Sequence, residues 1–245
     1  MRRKTAISNI DVLILCGGKG ERLRSLISDK PKVLADINGK PFLEIIVENL
    51  VSCGFKRIIL GVGHLKEQII GHFSEYGLKS PELKIEFSEE DIPLGTGGAL
   101  KKAKDLIKSE HFLVLNGDCL CPVDFEKFHR NHLDKQAMIS MVVLNVEDIS
   151  DYGSIKLEET GKVADFREKN FEKERGLING GVYLMSKDIF YFMPEEDYFS
   201  LEYDLFPRIL DKSFHGFMGD GELIDIGTPE KYQKTIRYFL NKIST

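Results

Sequence analysis

Long apolar runs are missing from these 245 residues. No stretch approaches the roughly 20 residues that a membrane-spanning helix needs, so no membrane partner is expected. Positive charge is not in excess either. Lysine and arginine total 34 against 39 aspartates and glutamates, for a net charge of −5. A general nucleic-acid binder carries a basic face, so this balance counts against one. Cysteine is sparse: Cys16, Cys53, Cys119 and Cys121 lack the density of a disulfide scaffold, and a reduced cytoplasm is the simplest setting. Met1-Arg2-Arg3-Lys4 opens like an export signal. Asn9 and Asp11 break the apolar run that follows and no small-residue cleavage site appears, so it reads as a frayed basic tail. Repeats, low-complexity segments and linkers are also missing. The length suits one large α/β domain.

Two familiar phosphate motifs are absent as well. The Walker loop needs Gly, four residues, then Gly-Lys-Ser/Thr, and no such run occurs. The dinucleotide fingerprint needs a third glycine, but Gly18-Lys19-Gly20-Glu21-Arg22-Leu23 ends in leucine, and no convincing ribose-binding acid follows.

What is present is Leu15-Cys16-Gly17-Gly18-Lys19-Gly20-Glu21-Arg22, followed by Pro31-Lys32. An apolar strand from Val12 to Leu15 runs into a loop rich in glycine. Gly17, Gly18 and Gly20 let the backbone approach a ligand, and successive N–H groups make an anion nest. Arg22 offers a planar fork for phosphate oxygens and Lys32 a mobile point charge. Glycines alone describe any strand-turn-helix loop. Together with the two cations they describe a triphosphate cradle.

The first half alternates strand and helix. Strands are expected at Asp11–Cys16, Arg57–Val62, Lys84–Ser88 and Phe112–Asn116. A helix after Pro41 puts Phe42, Ile45, Ile46 and Leu50 on one face. Thr96 to Lys108 and Asp124 to Leu133 are further amphipathic segments, and 137–145 adds a strand. This rhythm implies a Rossmann-like, mostly parallel central sheet flanked by helices. Beyond residue 151 the pattern becomes β-rich. Tyr152–Leu157 and Lys162–Arg167 flank Glu159-Thr160-Gly161 as a hairpin, and Gly181–Met185 is a strand. Ser200–Leu210 reads as helical. Phe214–Met218 and Leu223–Ile226 flank Gly219-Asp220-Gly221 as a second hairpin, and Pro229 to Leu240 closes the chain as a helix.

Asn116-Gly117-Asp118 ends an apolar strand in a carboxylate, where open α/β sheets bind ligands. Asp225 ends a second short apolar strand. Either acid alone reads equally well as a cap or turn, but two carboxylates with phosphates and waters make a normal Mg²⁺ site. Glu90 precedes a second glycine loop that holds Gly95 and Thr96, which offer backbone and hydroxyl groups to a base or ribose. An ionised carboxylate only accepts hydrogen bonds, and guanine presents two adjacent donors, so Glu90 would favour guanine. A solvated acidic loop is the plainer reading, since Glu89 and Asp91 flank it. Gly153, Glu168, Lys169, Asn179 and Gly180 are weaker candidates for sugar and phosphate contacts. His129-x-x-His132 and Cys119-x-Cys121 resemble metal spacings but lack a third ligand nearby, and the cysteines read as small packing residues.

In order along the chain, Gly17–Arg22, Pro31-Lys32, Leu94-Gly95-Thr96-Gly97-Gly98, Asn116-Gly117-Asp118, Phe166–Lys169, Asn179-Gly180-Gly181 and Asp225-Ile226-Gly227-Thr228-Pro229 resemble the sugar-1-phosphate nucleotidylyltransferases. Arg22-Leu23-Arg24-Ser25 and Gly97-Gly98-Ala99-Leu100 resemble the heptose guanylyltransferase branch more than the mannose and glucose branches. The resemblance implies a fold of the nucleotide-diphospho-sugar transferase type in a single domain, 1–245. About 1–145 would bind nucleotide, and about 146–245 would bind the sugar phosphate and supply the closing helix. It implies GTP and a sugar 1-phosphate as substrates and a homodimer as an open alternative to the monomer. Arg22, Lys32 and Asp118 would be catalytic, with Mg²⁺ on Asp118 and Asp225. Leu15, Gly17, Gly18, Gly20, Glu90, Gly95, Thr96, Asn116 and Gly117 would bind nucleotide. Gly153, Glu168, Lys169, Asn179 and Gly180 would bind sugar phosphate. The expected product is a nucleotide sugar for bacterial surface polysaccharide, and no C-terminal hexapeptide-repeat function is expected after the last helix.

Departures from the family pattern bear on substrate choice. Glu21 stands where threonine is common, Val33 where proline is, Leu223 where a tryptophan is, and Cys119 where threonine is. A mannose-1-phosphate guanylyltransferase or a uridylyl homologue is the nearest rival. A glycosyltransferase would carry Asp-x-Asp in place of Asn116-Gly117-Asp118, and a non-catalytic homologue would be expected to lose Lys32 or a carboxylate.

Overall fold

The computed structural model describes residues 7–167 and 173–243. The strands are β1 (Asp11–Leu15), β2 (Asp36–Ile37), β3 (Lys40–Pro41), β4 (Arg57–Val62), β5 (Lys84–Glu89), β6 (His111–Asn116), β7 (Cys119–Leu120) and β8 (Ile139–Val146). They continue as β9 (Ser154–Leu157), β10 (Val163–Arg167), β11 (Gly176–Ser186), β12 (Phe214–Met218) and β13 (Ile224–Asp225). The helices are α1 (Phe42–Ser52), α2 (Lys66–Lys79), α3 (Gly95–Lys102), α4 (Phe125–Asp134) and α5 (Pro229–Ile243).

Nine strands form the central sheet. β5, β4, β1 and β6 lie side by side and parallel. β11 runs antiparallel to β6, β8 and β9, β12 runs parallel to β8, and β10 turns back on β9. All strands of this sheet except β10 and β11 therefore point the same way, which is the mostly parallel sheet expected. Alternation along each strand feeds two cores. Val12 and Ile14 face one, with Leu60, Leu113 and helices α1 and α2, while Leu13, Ile59 and Val114 face the other, with α3. Strands buried on both faces read as continuous apolar runs, which is why the first half was legible.

The hairpin of β9 and β10 forms as expected. The second expected hairpin does not. β12 pairs with β8 and β13 pairs antiparallel with β7, so Gly219-Asp220-Gly221 joins strands of different sheets. α3 stops at Lys102, well short of Lys108, and in the turns that follow the Leu106 carbonyl accepts from Arg57 at 2.6 Å. The segment expected as a helix over Ser200–Leu210 is a π turn at Leu201–Leu205 followed by a 3-10 turn at Phe206–Ile209.

Candidate active site

The carboxyl ends of β1, β5 and β6 open onto a cavity of about 620 Å³. Its lining includes Leu15, Gly17, Gly18, Gly20, Arg22, Lys32, Glu90, Gly95, Thr96, Asn116 and Asp118. These residues come from four separate stretches of sequence, and the parallel sheet brings their loops to one edge. Gly20 has φ +62°, and a Cβ there would lie 2.8 Å from the Lys32 Cβ. A larger residue would displace the lysine. Arg22 sits exposed in the short turn Glu21–Leu23, on the cavity rim. Glu21 lines the rim beside it.

Lys32 Nζ donates to Asp118 Oδ2 at 2.5 Å, with the lysine side chain 10% exposed and the aspartate 40%. The pair spans the cavity floor and leaves the carboxylate open to a ligand. The two-stranded ladder of β7 and β13 sets Asp225 opposite Cys119, and Ile226 N donates to the Asp118 carbonyl at 3.1 Å. Two carboxylates thus come from neighbouring segments. Asp225 is held by Lys231 at 2.9 Å and by the Gly227 N–H, and it lines a second cavity of about 280 Å³ with Tyr152 and Lys231. Burial would lower the Lys231 pKa, but the Asp225 charge raises it above the ordinary lysine value.

Glu90 is 7% exposed and turns inward, its Oε1 within 2.8 Å of where a Gly17 Cβ would stand. Its other oxygen accepts from Leu94 N at 3.0 Å. Burial raises its pKa, and the Leu94 hydrogen bond opposes that. Glu89 points away and pairs with Lys66 at 3.3 Å. The loop therefore commits one acid to the cavity. Cys16 also lines the cavity, where burial, then the charges of Asp118 and Glu90, push its thiol well above the ordinary range.

Other expected residues take different tasks. The Thr96 hydroxyl donates to Glu202 Oε2 at 2.6 Å and accepts from Leu201 N at 2.8 Å, so it braces the loop. Gly117 lies behind the cavity wall, where a Cβ would stand 2.8 Å from the Leu15 carbonyl. The Asn179 side chain is engaged internally: Nδ2 donates to the Tyr183 hydroxyl at 2.7 Å and Oδ1 accepts from Gly181 N at 2.9 Å. Gly180 is buried against Cys121 and Val142, and the carbonyl of buried Gly153 accepts from Asn179 N at 3.1 Å. Glu168 and Lys169 lie outside the described residues. His132 engages His111 at 3.0 Å and Ser140 at 2.9 Å, at the opposite end of the sheet. Cys119 and Cys121 are buried.

Two residues at the site were missed. Tyr198, 70% exposed, lines the cavity, and buried Glu202 lies behind the lining, where it accepts from Thr96. Gly97 and Gly98 explain their placement. A Cβ on Gly97 would meet the Phe199 ring at 2.2 Å, and one on Gly98 the Asp197 carbonyl at 2.0 Å. The signal in the sequence was an acid, Glu202, set with Asp204 between the apolar residues Leu201, Leu205 and Phe206.

A glycine loop at the carboxyl edge of parallel strands, with cations on its rim and floor, defines an α/β enzyme built around nucleotide phosphates. The chain belongs to the nucleotidyl transferase family, whose profile matches residues 11–242. It is 40% identical over 223 residues to the D-glycero-α-D-manno-heptose 1-phosphate guanylyltransferase of Campylobacter jejuni, covering 91% of this chain and 97% of the relative. The enzyme of that name from Aneurinibacillus thermoaerophilus is 38% identical, with coverage of 92% and 96%. HddC from Yersinia pseudotuberculosis superposes with a TM-score of 0.82 at 38% identity, covering 94% of this chain and 99% of that one. The same protein has also been solved in complex with GMP-PN.

Proposed function

We propose that this enzyme transfers GMP from GTP to D-glycero-α-D-manno-heptose 1-phosphate in the cytoplasm, giving GDP-heptose and pyrophosphate for surface polysaccharide. The observation that carries the reading is the cavity itself: Arg22 and Lys32, singled out for phosphate, Glu90, for the base, and Asp118, for the metal, all line it, while Asp225 lines a second cavity, and Glu90 faces in while Glu89 faces out. The two relatives named as heptose guanylyltransferases support the choice of sugar and nucleotide.

In this reading a phosphate oxygen of the sugar phosphate attacks the α-phosphorus of GTP. One P–O bond forms, the bond to the β-phosphate breaks, and pyrophosphate leaves. Positioning and charge neutralisation supply the rate. Arg22 on the rim binds the departing phosphates. Lys32 turns from Asp118 to the phosphates that meet above it. Asp118 and Asp225 present hard carboxylate oxygens, the donor set that suits Mg²⁺ with phosphates. Bound there, Mg²⁺ would neutralise charge developing on the phosphates. Glu90 accepts from the guanine N1–H and N2 amine. The lining residues between Leu15 and Asp118 support a nucleotide part at about 1–145, and about 146–245 is assigned to the sugar phosphate and the closing helix.

Pyrophosphate release over GTP, ATP, UTP, CTP and dTTP, crossed with heptose, mannose and glucose 1-phosphates, tests this. The highest kcat/KM is expected for GTP with the heptose. Best turnover with mannose 1-phosphate would reassign the sugar, and no pyrophosphate from any pair would overturn the reading.

A further inference from the structure

Glu202 is 9% exposed, a burial that an ionised carboxylate tolerates only with donors on its oxygens. It has three. Oε2 accepts from the Thr96 hydroxyl at 2.6 Å and the Ser200 hydroxyl at 2.8 Å, and Oε1 accepts from the Tyr183 hydroxyl at 3.3 Å. Tyr183 is fully buried, and its hydroxyl in turn accepts from Asn179 Nδ2 at 2.7 Å. The Asn179 Oδ1 accepts from Gly181 N, closing the chain on a bulge in β11 where the register shifts between Asn179 and Tyr183. Every donor along this line points toward Glu202.

The two ends of the line matter. At one end, Thr96 opens α3 and lines the nucleotide cavity. The strap that carries Glu202 is fastened there by its backbone: Gly97 N and Gly98 N donate to the Phe199 carbonyl at 2.9 and 3.2 Å, and Phe199 N donates to the Leu94 carbonyl at 3.1 Å. At the other end, the bulge packs against the residues that flank Asp118. A Cβ on Gly181 would stand 2.8 Å from Cys119 Sγ and 3.1 Å from Asn116 Nδ2.

We propose that Glu202 is a positioning residue that couples the nucleotide loop at Thr96 to the segment Asn116–Cys119 that carries Asp118, so that binding of one substrate orders the subsite of the other. This rests on the guanylyltransferase reading above. Ordering shared through a buried, fully satisfied network is a physical route for such coupling. A carboxylate is required at this point, because an amide would present a donor to at least one of the three hydroxyls.

The test is calorimetric titration of a non-hydrolysable GTP analogue, with and without saturating D-glycero-α-D-manno-heptose 1-phosphate. Wild type is expected to bind the analogue about tenfold tighter when the sugar phosphate is present, within the usual range of coupling between sites. Glu202→Gln, Tyr183→Phe and Thr96→Val should each reduce that to under about twofold. Thr96→Ser, which keeps the hydroxyl, should retain it. Tyr183→Phe keeps the ring in its pocket and provides a folded variant if Glu202→Gln unfolds. Coupling that persists in folded Tyr183→Phe would overturn the proposal while leaving the guanylyl transfer standing. So would a wild type that binds both ligands without coupling. A wild type that fails to bind the analogue at all would overturn both.

Discussion

The two ends of the parallel sheet hold similar numbers of charged groups and use them in opposite ways. At the amino end of β1, β4 and β5, Arg57 pairs with Asp11 at 2.7 Å and Glu86 at 2.5 Å. Asp11 also accepts from Ser109 N at 2.9 Å, and His111, His132 and Ser140 form a further buried chain nearby. These groups pair with one another, although among the described residues Arg57 Nη1 makes only the ion pair with Asp11, and His129 Nε2 and His215 Nδ1 are buried without a hydrogen-bond partner. At the carboxyl end, Lys32 and Asp118 face a cavity, Arg22 is exposed on its rim, and Asn116 Oδ1 is buried with no hydrogen-bond partner among the described residues. Charge closed upon itself holds the fold together, and charge left open to a cavity waits for a ligand.

The comparison breaks first at Arg57. Its side chain is 16% exposed and that of Asp11 6%. Arg57→Ala strands a buried carboxylate and should cost about 3–5 kcal/mol of stability, read from urea unfolding. Turnover per folded molecule should stay close to wild type. A large loss of kcat in the folded fraction would mean that the two ends are not separable.

Lys32→Ala and Asp118→Asn are the mirror experiment. Each should lower kcat by about a hundredfold or more in the molecules that remain folded, the scale of losing an electrostatic stabiliser, and Lys32→Ala should move the unfolding midpoint less than Arg57→Ala, because the carboxylate it strands is 40% exposed. Arg22→Lys should also be impaired, because a point charge does not reproduce a bidentate fork. Wild-type turnover in Lys32→Ala would remove the cavity floor from the chemistry.

A smaller effect separates the ends by pH. Burial, then the neighbouring His111, His129 and His215, pushes His132 down to about 3. The unfolded chain titrates near the ordinary value of about 6.5, so below that pH the unfolded state takes up the proton and the folded state does not. This contribution is fully present above about pH 6.5 and is lost as pH falls toward 3, by up to about 1.4 kcal/mol per pH unit. Thermal melts from pH 7 to pH 5 should show a steeper decline for wild type than for His132→Phe. Equal slopes would mean that another group carries the acid sensitivity.

How far each region could be read from sequence follows the same division. β1, β4 and β6 were legible because both faces are buried, and their alternation feeds both cores. Arg22, Lys32 and Asp118 were legible because a ligand-facing cation or acid beside glycines has no local partner to explain it. The mistaken hairpin came from pairing across distance, since β12 lies on β8 and nothing local encodes that register. Glu202 was missed for the same reason: its partner Thr96 is 106 positions away. Asn179 looked like a ligand contact because its type and glycine neighbours suit one, yet Tyr183 and Gly181 use both ends of its amide. Sequence could not choose between Glu89 and Glu90, whereas in the structure Lys66 draws one outward and the Leu94 N–H holds the other in.

The most direct measurement of the central claim is therefore competition among GTP, ATP, UTP, CTP and dTTP in wild type, Glu89→Gln and Glu90→Gln, read as kcat/KM with the heptose 1-phosphate. Wild type and Glu89→Gln should both prefer GTP. Glu90→Gln should narrow the lead of GTP over UTP by about tenfold, because an amide places a donor against guanine's donors and leaves one unpaired. An unchanged lead in Glu90→Gln, or a wild type that prefers UTP or dTTP, would contradict the assignment of the cavity to guanine.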